Sequence, residues 1–142
     1  MKKAITILLL AVAILIGGAA ADAKTKSRKK AKATTSQSSK GYKIEIGRII
    51  PTGSKPVIVD FYTDWCGPCK RYAPVFEQVK SKYKSRAIFI RINIDNYREV
   101  SNYYDVHNIP TTMIILNQGN KYCKRIGYME AYELESFINS YL

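Results

Sequence analysis

A mixed α/β sheet with helices on both faces is the fold class predicted here, on three observations. Val57–Tyr62 (VIVDFY) and Ala87–Ile92 (AIFIRI) are near-continuous apolar runs of strand length, the pattern of strands covered on both sides. Between them, Cys69, Tyr72, Phe76, Val79 and Tyr83 recur at three- and four-residue spacing, which makes one inward stripe of a helix over Cys69–Tyr83. Downstream, Thr111–Leu116 and Lys121–Ile126 read as a hairpin across Asn117–Asn120. Two strands joined through a helix imply a right-handed parallel crossover, and the hairpin adds antiparallel strands.

The remaining elements follow in chain order. With 142 residues, 46% of them hydrophobic, the chain suits one ordinary domain plus appendages. Wholesale disorder and collagen-like repeats are excluded, and three Cys are too few for a disulfide-stapled miniprotein. Residues 1–23 read as a secretory signal: Lys2 and Lys3 precede an almost unbroken apolar run of twelve residues, Ile5–Ile16, and small residues offer cleavage after Ala21 or Ala23. The alternative is an uncleaved anchor, since Ala4–Ala21 approaches the roughly 20 residues of a bilayer span. Six basic residues (Lys24, Lys26, Arg28, Lys29, Lys30, Lys32) follow the apolar segment against two before it, which would favour a cytoplasmic C-terminal side if the segment stayed in the membrane.

Residues 24–40 carry Ala as their only apolar type and read as a flexible basic linker. Contact with an anionic membrane surface is the sharper reading of that charge. Nucleic acid is not expected as a partner, because no aromatic platform interleaves with the cations. The net charge of +12 is uneven: residues 41–142 hold 14 Lys/Arg against 10 Asp/Glu, so the expected domain, 41–142, is only mildly basic. It opens with a short strand, Tyr42–Ile46, followed by a Pro/Gly-containing connection to Pro56. A polar, Tyr-rich helix is predicted over Arg98–Tyr104, and Leu134, Phe137, Ile138, Tyr141 and Leu142 form the stripe of a last helix.

The chemistry is concentrated in Trp65-Cys66-Gly67-Pro68-Cys69-Lys70. Two thiols three residues apart at a helix start can close a disulfide ring and reopen it without large backbone motion. Cys66 precedes the first turn, where free N–H groups and the positive dipole end favour a thiolate, and Pro68 suits the first helical positions. The dipole contributes about 0.3–1 kcal/mol, well under one pKa unit, so local hydrogen bonds must add to it. Cys69 falls on the buried stripe, so an exposed Cys66 is expected to attack and Cys69 to resolve the mixed disulfide. The competing readings are a permanent disulfide or half of a zinc site. The second lacks ligands, because only Cys123 and His107 remain and no metal is expected.

Asp60 and Arg91 are charges inside apolar runs on neighbouring strands, and an unpaired buried charge costs several kcal/mol. They are therefore expected to pair. The functional reading of Asp60 is a base, its pKa raised by desolvation, that takes a proton from Cys69; the plain reading is a structural ion pair. His107 reads as a solvated loop side chain, the alternative being a substrate contact or a source of pH dependence. Cys123 reads as a small, buried apolar group of the hairpin strand, the alternative being a free thiol.

Val59-Asp60-Phe61-Tyr62-Thr63-Asp64-Trp65-Cys66-Gly67-Pro68-Cys69-Lys70 resembles the active-site segment of thioredoxins, and the likeness extends over roughly residues 56–142. Ala73-Pro74 matches the family's mid-helix proline, and Ile109-Pro110-Thr111 resembles its cis-proline segment. Gly127 falls where the family has a glycine beside the substrate groove. Asp60 matches the buried carboxylate, and Arg91 stands where a buried Lys is usual. Tyr62 replaces a common Trp, Asn108 a frequent Gly, and the stretch from Gly41 to Pro56 is short for the family's first helix.

The resemblance implies dithiol–disulfide exchange: Cys66 attacks a substrate disulfide, the substrate docks along Trp65, Gly67, Pro68, Ile109, Pro110 and Gly127, and Cys69 resolves the complex. No cofactor is expected beyond the redox-active Cys66–Cys69 pair. With the leader, it implies a monomeric reductase of exported, disulfide-containing proteins in a bacterial periplasm or cell envelope, supplied by a membrane electron donor. The rival readings are a dithiol oxidase or isomerase and a non-catalytic binding module.

Overall fold

The computed structural model describes residues 41–142. The expected signal segment (1–23) and basic linker (24–40) lie outside the described residues. Two short strands come first, β1 (Tyr42–Glu45) and β2 (Arg48–Pro51), paired antiparallel with Glu45 opposite Arg48. The sequence reading had one strand to Ile46 and then a connection. The Ile46-Gly47 pair instead makes a two-residue turn, with φ of 49° and 76°. Positive φ at both central residues is the geometry whose twist matches that of the flanking strands. Gly47 is obligatory there, because a Cβ would sit 2.4 Å from the Glu99 carbonyl oxygen.

The main sheet holds β3 (Val57–Tyr62), β4 (Ile88–Asn93), β5 (Thr111–Leu116) and β6 (Lys121–Ile126) in the order β4-β3-β5-β6. β3 runs parallel to β4 and antiparallel to β5, and β5 pairs antiparallel with β6, so the sheet is mixed as expected. β3 is central and buried on both faces. β4 is an edge strand and mostly half-buried, which corrects the reading of AIFIRI as fully covered. Its apolar residues alternate between the two layers, Ile88 and Ile90 packing on one core and Phe89 on the other, while no strand pairs on its far side among the described residues. β4 begins at Ile88, one residue later than expected.

α1 (Gly67–Tyr83) and α3 (Ala131–Asn139) cover one face through Tyr72, Phe76, Val79, Leu134 and Ile138, packed on Ile58 and Ile114. α1 starts two residues before the apolar stripe does, because Cys66 caps it. α3 is closed by a capping box between Glu130 and Glu133. It stops at Asn139, so Tyr141 and Leu142 do not continue its buried stripe and are exposed. The other face takes α2 (Arg98–Tyr103) and the β1–β2 hairpin, whose Ile49 joins Val57, Val59, Phe61, Val100 and Tyr104 in a second core.

The hairpin thus occupies the stretch expected to be too short for the family's first helix. Tyr104 fastens it: the Ile49 N–H donates to the Tyr104 hydroxyl at 2.9 Å, and that hydroxyl donates back to the Ile49 carbonyl at 3.3 Å. Burial pushes the phenol up to about 12, so this bond persists across the whole range in which the protein is handled.

Ile46 is 96% exposed at its positive φ, with no packing to offset a conformation that is strained for a β-branched side chain. Replacing it by Asn, which tolerates this region and favours such turns, is expected to raise the unfolding free energy by about 1 kcal/mol. Urea titration of the two proteins checks this; an unchanged or lower midpoint with the same slope would show that Ile46 carries no strain.

Candidate active site

Cys66 and Cys69 are joined as a disulfide, with S–S 2.02 Å and Cα–Cα 5.3 Å. Their placement follows from the helix start. Cys66 holds extended backbone angles (φ −76°, ψ 107°), Pro68 occupies the first turn where no N–H is needed, and the Cys69 N–H donates to Cys66 Sγ at 3.1 Å. This is the local hydrogen bond that the small dipole contribution requires. It is the one such bond to Cys66 Sγ among the described residues. The expectation of an exposed Cys66 needs correction: it is 5% exposed and Cys69 1%. With the disulfide closed, Cys66 is covered almost as completely as Cys69.

Trp65 is 72% exposed beside the pair, yet it is held in place. Its indole N–H donates to Asp95 Oδ2 at 3.0 Å; the Asp95 N–H donates to Asn93 Oδ1 at 2.9 Å; and Asn93 Nδ2 donates to Asp64 Oδ2 at 2.9 Å. Sequence reasoning named Trp65 and missed Asp95 and Asn93. The available signal was a polar Asn-Ile-Asp closing an otherwise apolar strand.

The Ile109–Pro110 peptide is cis. Pro110 is buried and Ile109 half-buried, and Thr111 Oγ1 donates to the Asn108 carbonyl at 2.6 Å. Gly127 lies at φ 101°, and its N–H donates to the Pro110 carbonyl at 2.7 Å, which joins the segment before β5 to the one after β6. A Cβ at Gly127 would meet nothing within 4 Å, so the glycine is there for its backbone angle and not for close packing. Gly67 and Pro68 are exposed. His107 is exposed as expected, with Nε2 2.7 Å from Asp105 Oδ1.

Asp60 and Arg91 do meet. They are register partners on β3 and β4, and Arg91 Nε donates to Asp60 Oδ2 at 2.7 Å. The Asp60 side chain is wholly buried, while the guanidinium keeps partial access to solvent and lies 4.2 Å over the Tyr62 ring. Tyr62 therefore has a role beyond filling space. Asp60 Oδ1 is buried with no hydrogen-bond partner among the described residues. Desolvation pushes the Asp60 carboxyl above its ordinary value, and the bond and charge of Arg91 only partly oppose it. Cys123 is half-buried, not buried as expected, because β6 is the other edge strand; its Sγ lies 4.0 Å from the Ile114 carbonyl.

Comparison with known proteins agrees with this geometry. Residues 35–140 match the Thioredoxin family model. The chain is 38% identical over 96 residues to a thioredoxin of Mycoplasmoides gallisepticum, covering 68% of this chain and 93% of that protein. It is 35% identical over 89 residues to a thioredoxin of Acidithiobacillus ferridurans, covering 63% and 82%. Among solved structures, the germline-specific thioredoxin Deadhead of Drosophila melanogaster has a TM-score of 0.57 at 27% identity, covering 63% of this chain and 83% of that one. Chloroplastic thioredoxin z gives 0.55 at 28%, covering 61% and 78%.

The direction of the Asp60 shift has a consequence for stability. A carboxyl whose folded pKa is raised binds its proton more tightly folded than unfolded. The folded state is therefore favoured below the ordinary carboxylate range and loses that advantage as pH rises through the raised pKa. Asp60→Asn, which cannot ionise, is expected to remove this loss and to be more stable than the parent at neutral pH. Urea unfolding from pH 4 to 8 checks it; parallel curves for the two proteins would show that burial does not disfavour the Asp60 charge.

Proposed function

The chain belongs to the thioredoxin family and is a protein dithiol–disulfide oxidoreductase; from that premise we propose that it reduces disulfides of exported proteins in a bacterial cell envelope. The observation that carries the proposal is the Cys66–Cys69 pair at the start of α1, with a single N–H directed at Cys66 Sγ. A strongly oxidising dithiol owes its potential to a heavily stabilised thiolate. Here Gly67 and Pro68 separate the cysteines, and neither the first turn nor its cap supplies a second donor or a histidine. That favours a reducing pair.

In the proposed cycle the Cys66 thiolate attacks one sulfur of a substrate disulfide, the substrate S–S bond breaks, and one substrate thiolate leaves. Cys69 gives its proton to Asp60 and attacks Cys66 Sγ; the Cys66–Cys69 bond forms as the second substrate thiolate leaves. Two electrons pass from the protein to the substrate, and its two thiolates take up protons. Trp65, Gly67, Pro68, Ile109, Pro110 and Gly127 form the groove in which the substrate backbone lies. A dithiol donor in the membrane returns the two electrons, and no cofactor takes part. The N-terminal segment supports the envelope placement: the apolar Ile5–Ile16 reads as an export signal or anchor, and the basic 24–40 linker suits a spacer at an anionic surface.

Equilibration with glutathione tests the direction. The Cys66–Cys69 couple is expected near the reducing end of the known range, about −270 mV, and a value near about −120 mV would make the protein an oxidase. Cys69→Ser is expected to accumulate mixed disulfides with exported proteins, whereas Cys66→Ser abolishes exchange. Retained partner binding in Cys66→Ser with no trapped species in Cys69→Ser would identify a binding module. Sequencing the N-terminus of protein from envelope fractions tests the placement, which recovery from the cytoplasm would overturn.

A further inference from the structure

One row of the main sheet crosses beneath α1. Arg91 on β4, Asp60 on β3, Thr112 on β5 and Arg125 on β6 are successive register partners. Directly opposed residues of neighbouring strands point to the same face, a few ångströms apart. Asp60 and Thr112 thus share the layer under α1, where both are fully buried. From α1, the Tyr72 hydroxyl reaches Thr112 Oγ1 at 2.7 Å. Tyr72 is one turn beyond Cys69 on the same inward stripe, and helical side chains lean toward the N-terminus, so it reaches back under the cysteine. Apolar side chains fill the rest of this layer, among them Ile58, Phe76 and Ile114.

Two hydroxyls bonded to each other still leave one hydrogen to donate. The buried acceptor without a partner on this row is Asp60 Oδ1, since Arg91 occupies only Oδ2. We propose that Tyr72 and Thr112 are positioning residues for Asp60: Tyr72 donates to Thr112, and Thr112 donates to Asp60 Oδ1, directly after a rotation or through one bridging water. The pair therefore favours the carboxylate and fixes the pH at which Asp60 accepts the Cys69 proton. Burial and the nearby Asp60 charge push the Tyr72 phenol well above its ordinary value, so it stays a donor throughout the working range.

The groups facing Asp60 are Arg91 from β4, Thr112 from β5 and Tyr72 from α1, with Tyr128 stacked edge-on against Tyr72 at 5.8 Å; Cys69 lies one turn before Tyr72 on the same buried stripe. Beside the fixed charge of Arg91, the hydroxyl pair supplies a neutral donor on this row. This inference rests on the reading of Asp60 as the base for Cys69, and its test separates the two.

The full-length oxidised protein, labelled at the aspartate carboxyl carbons, gives five resonances from Asp22, Asp60, Asp64, Asp95 and Asp105. Asp60→Asn identifies its own by deletion. Thr112→Val, close in shape to the parent, is expected to raise the Asp60 midpoint by about one unit, roughly a tenfold shift in its protonation ratio. Tyr72→Phe should move it less in the same direction, and Thr112→Ser should restore it. A purely structural role would lower stability in Thr112→Val without moving the midpoint; an unchanged or lowered midpoint overturns the proposal. The pH profile of single-turnover substrate reduction should move with the titration and lose its Thr112 dependence in the Asp60→Asn background. A midpoint that moves while the rate profile stays fixed leaves the hydrogen bond standing and overturns the base role of Asp60.

Discussion

A carboxylate in the middle strand of a sheet, with a helix laid over it, has no solvent to hold its charge. Burial of an ion costs several kcal/mol even after relaxation, and the cost falls only where donors meet its oxygens. Asp60 meets one strong donor, Arg91 Nε, and leaves its second oxygen without a partner. Much of the surrounding architecture is arranged about that half-satisfied group. β4 lies parallel to β3 in the register that sets Arg91 opposite Asp60, and Arg91 reaches solvent across the edge with the Tyr62 ring beneath it. β5 sets Thr112 on the other side, and α1 brings Tyr72 down onto the same row from one turn past Cys69. The result is a carboxyl with elevated proton affinity beneath the helix whose buried stripe also holds Cys69.

The same layering separates chemistry from support. One face of the sheet, under α1 and α3, carries the dithiol, Asp60 and the Tyr72–Thr112 pair. The opposite face is filled by α2 and the β1–β2 hairpin, with Ile49 and Tyr104 at its centre. A hairpin in place of a helix is sufficient there, because that face needs apolar coverage and a fixed edge, and Tyr104 supplies both through its ring and its hydroxyl. The strained turn at Ile46 lies in this supporting layer, away from the thiols in sequence and in packing.

Arg in place of the more usual Lys at position 91 narrows the chemistry. A guanidinium does not release its proton, so it acts as a fixed charge on Oδ2 and takes no part in relaying protons. The oxygen that Arg91 does not hold, Oδ1, is then the one open to a neutral donor from the neighbouring strand and helix.

Local sequence determined the strands and helices that periodicity encodes. Thr111–Leu116 and Lys121–Ile126 coincide with β5 and β6, and α1 ends at Tyr83 as its stripe requires. The dithiol was legible too, because Cys-Gly-Pro-Cys at a helix start is a contiguous motif, and so was the Asp60–Arg91 pairing, because two isolated charges in adjacent apolar strands have few other partners. The hairpin over 42–51 escaped notice: a turn with Ile at positive φ breaks the residue preferences on which turn recognition rests, and distant groups hold it, through Gly47 packed against Glu99, Ile49 bonded to Tyr104 and Arg48 Nη2 donating to the Gln118 carbonyl. Register and layer order were decided by the tertiary structure alone. They make β4 an edge, cover Cys66, place Thr112 beside Asp60 and bring Asp95 to Trp65, and each depends on residues about 30 or more positions apart, a separation over which no local pattern carries information.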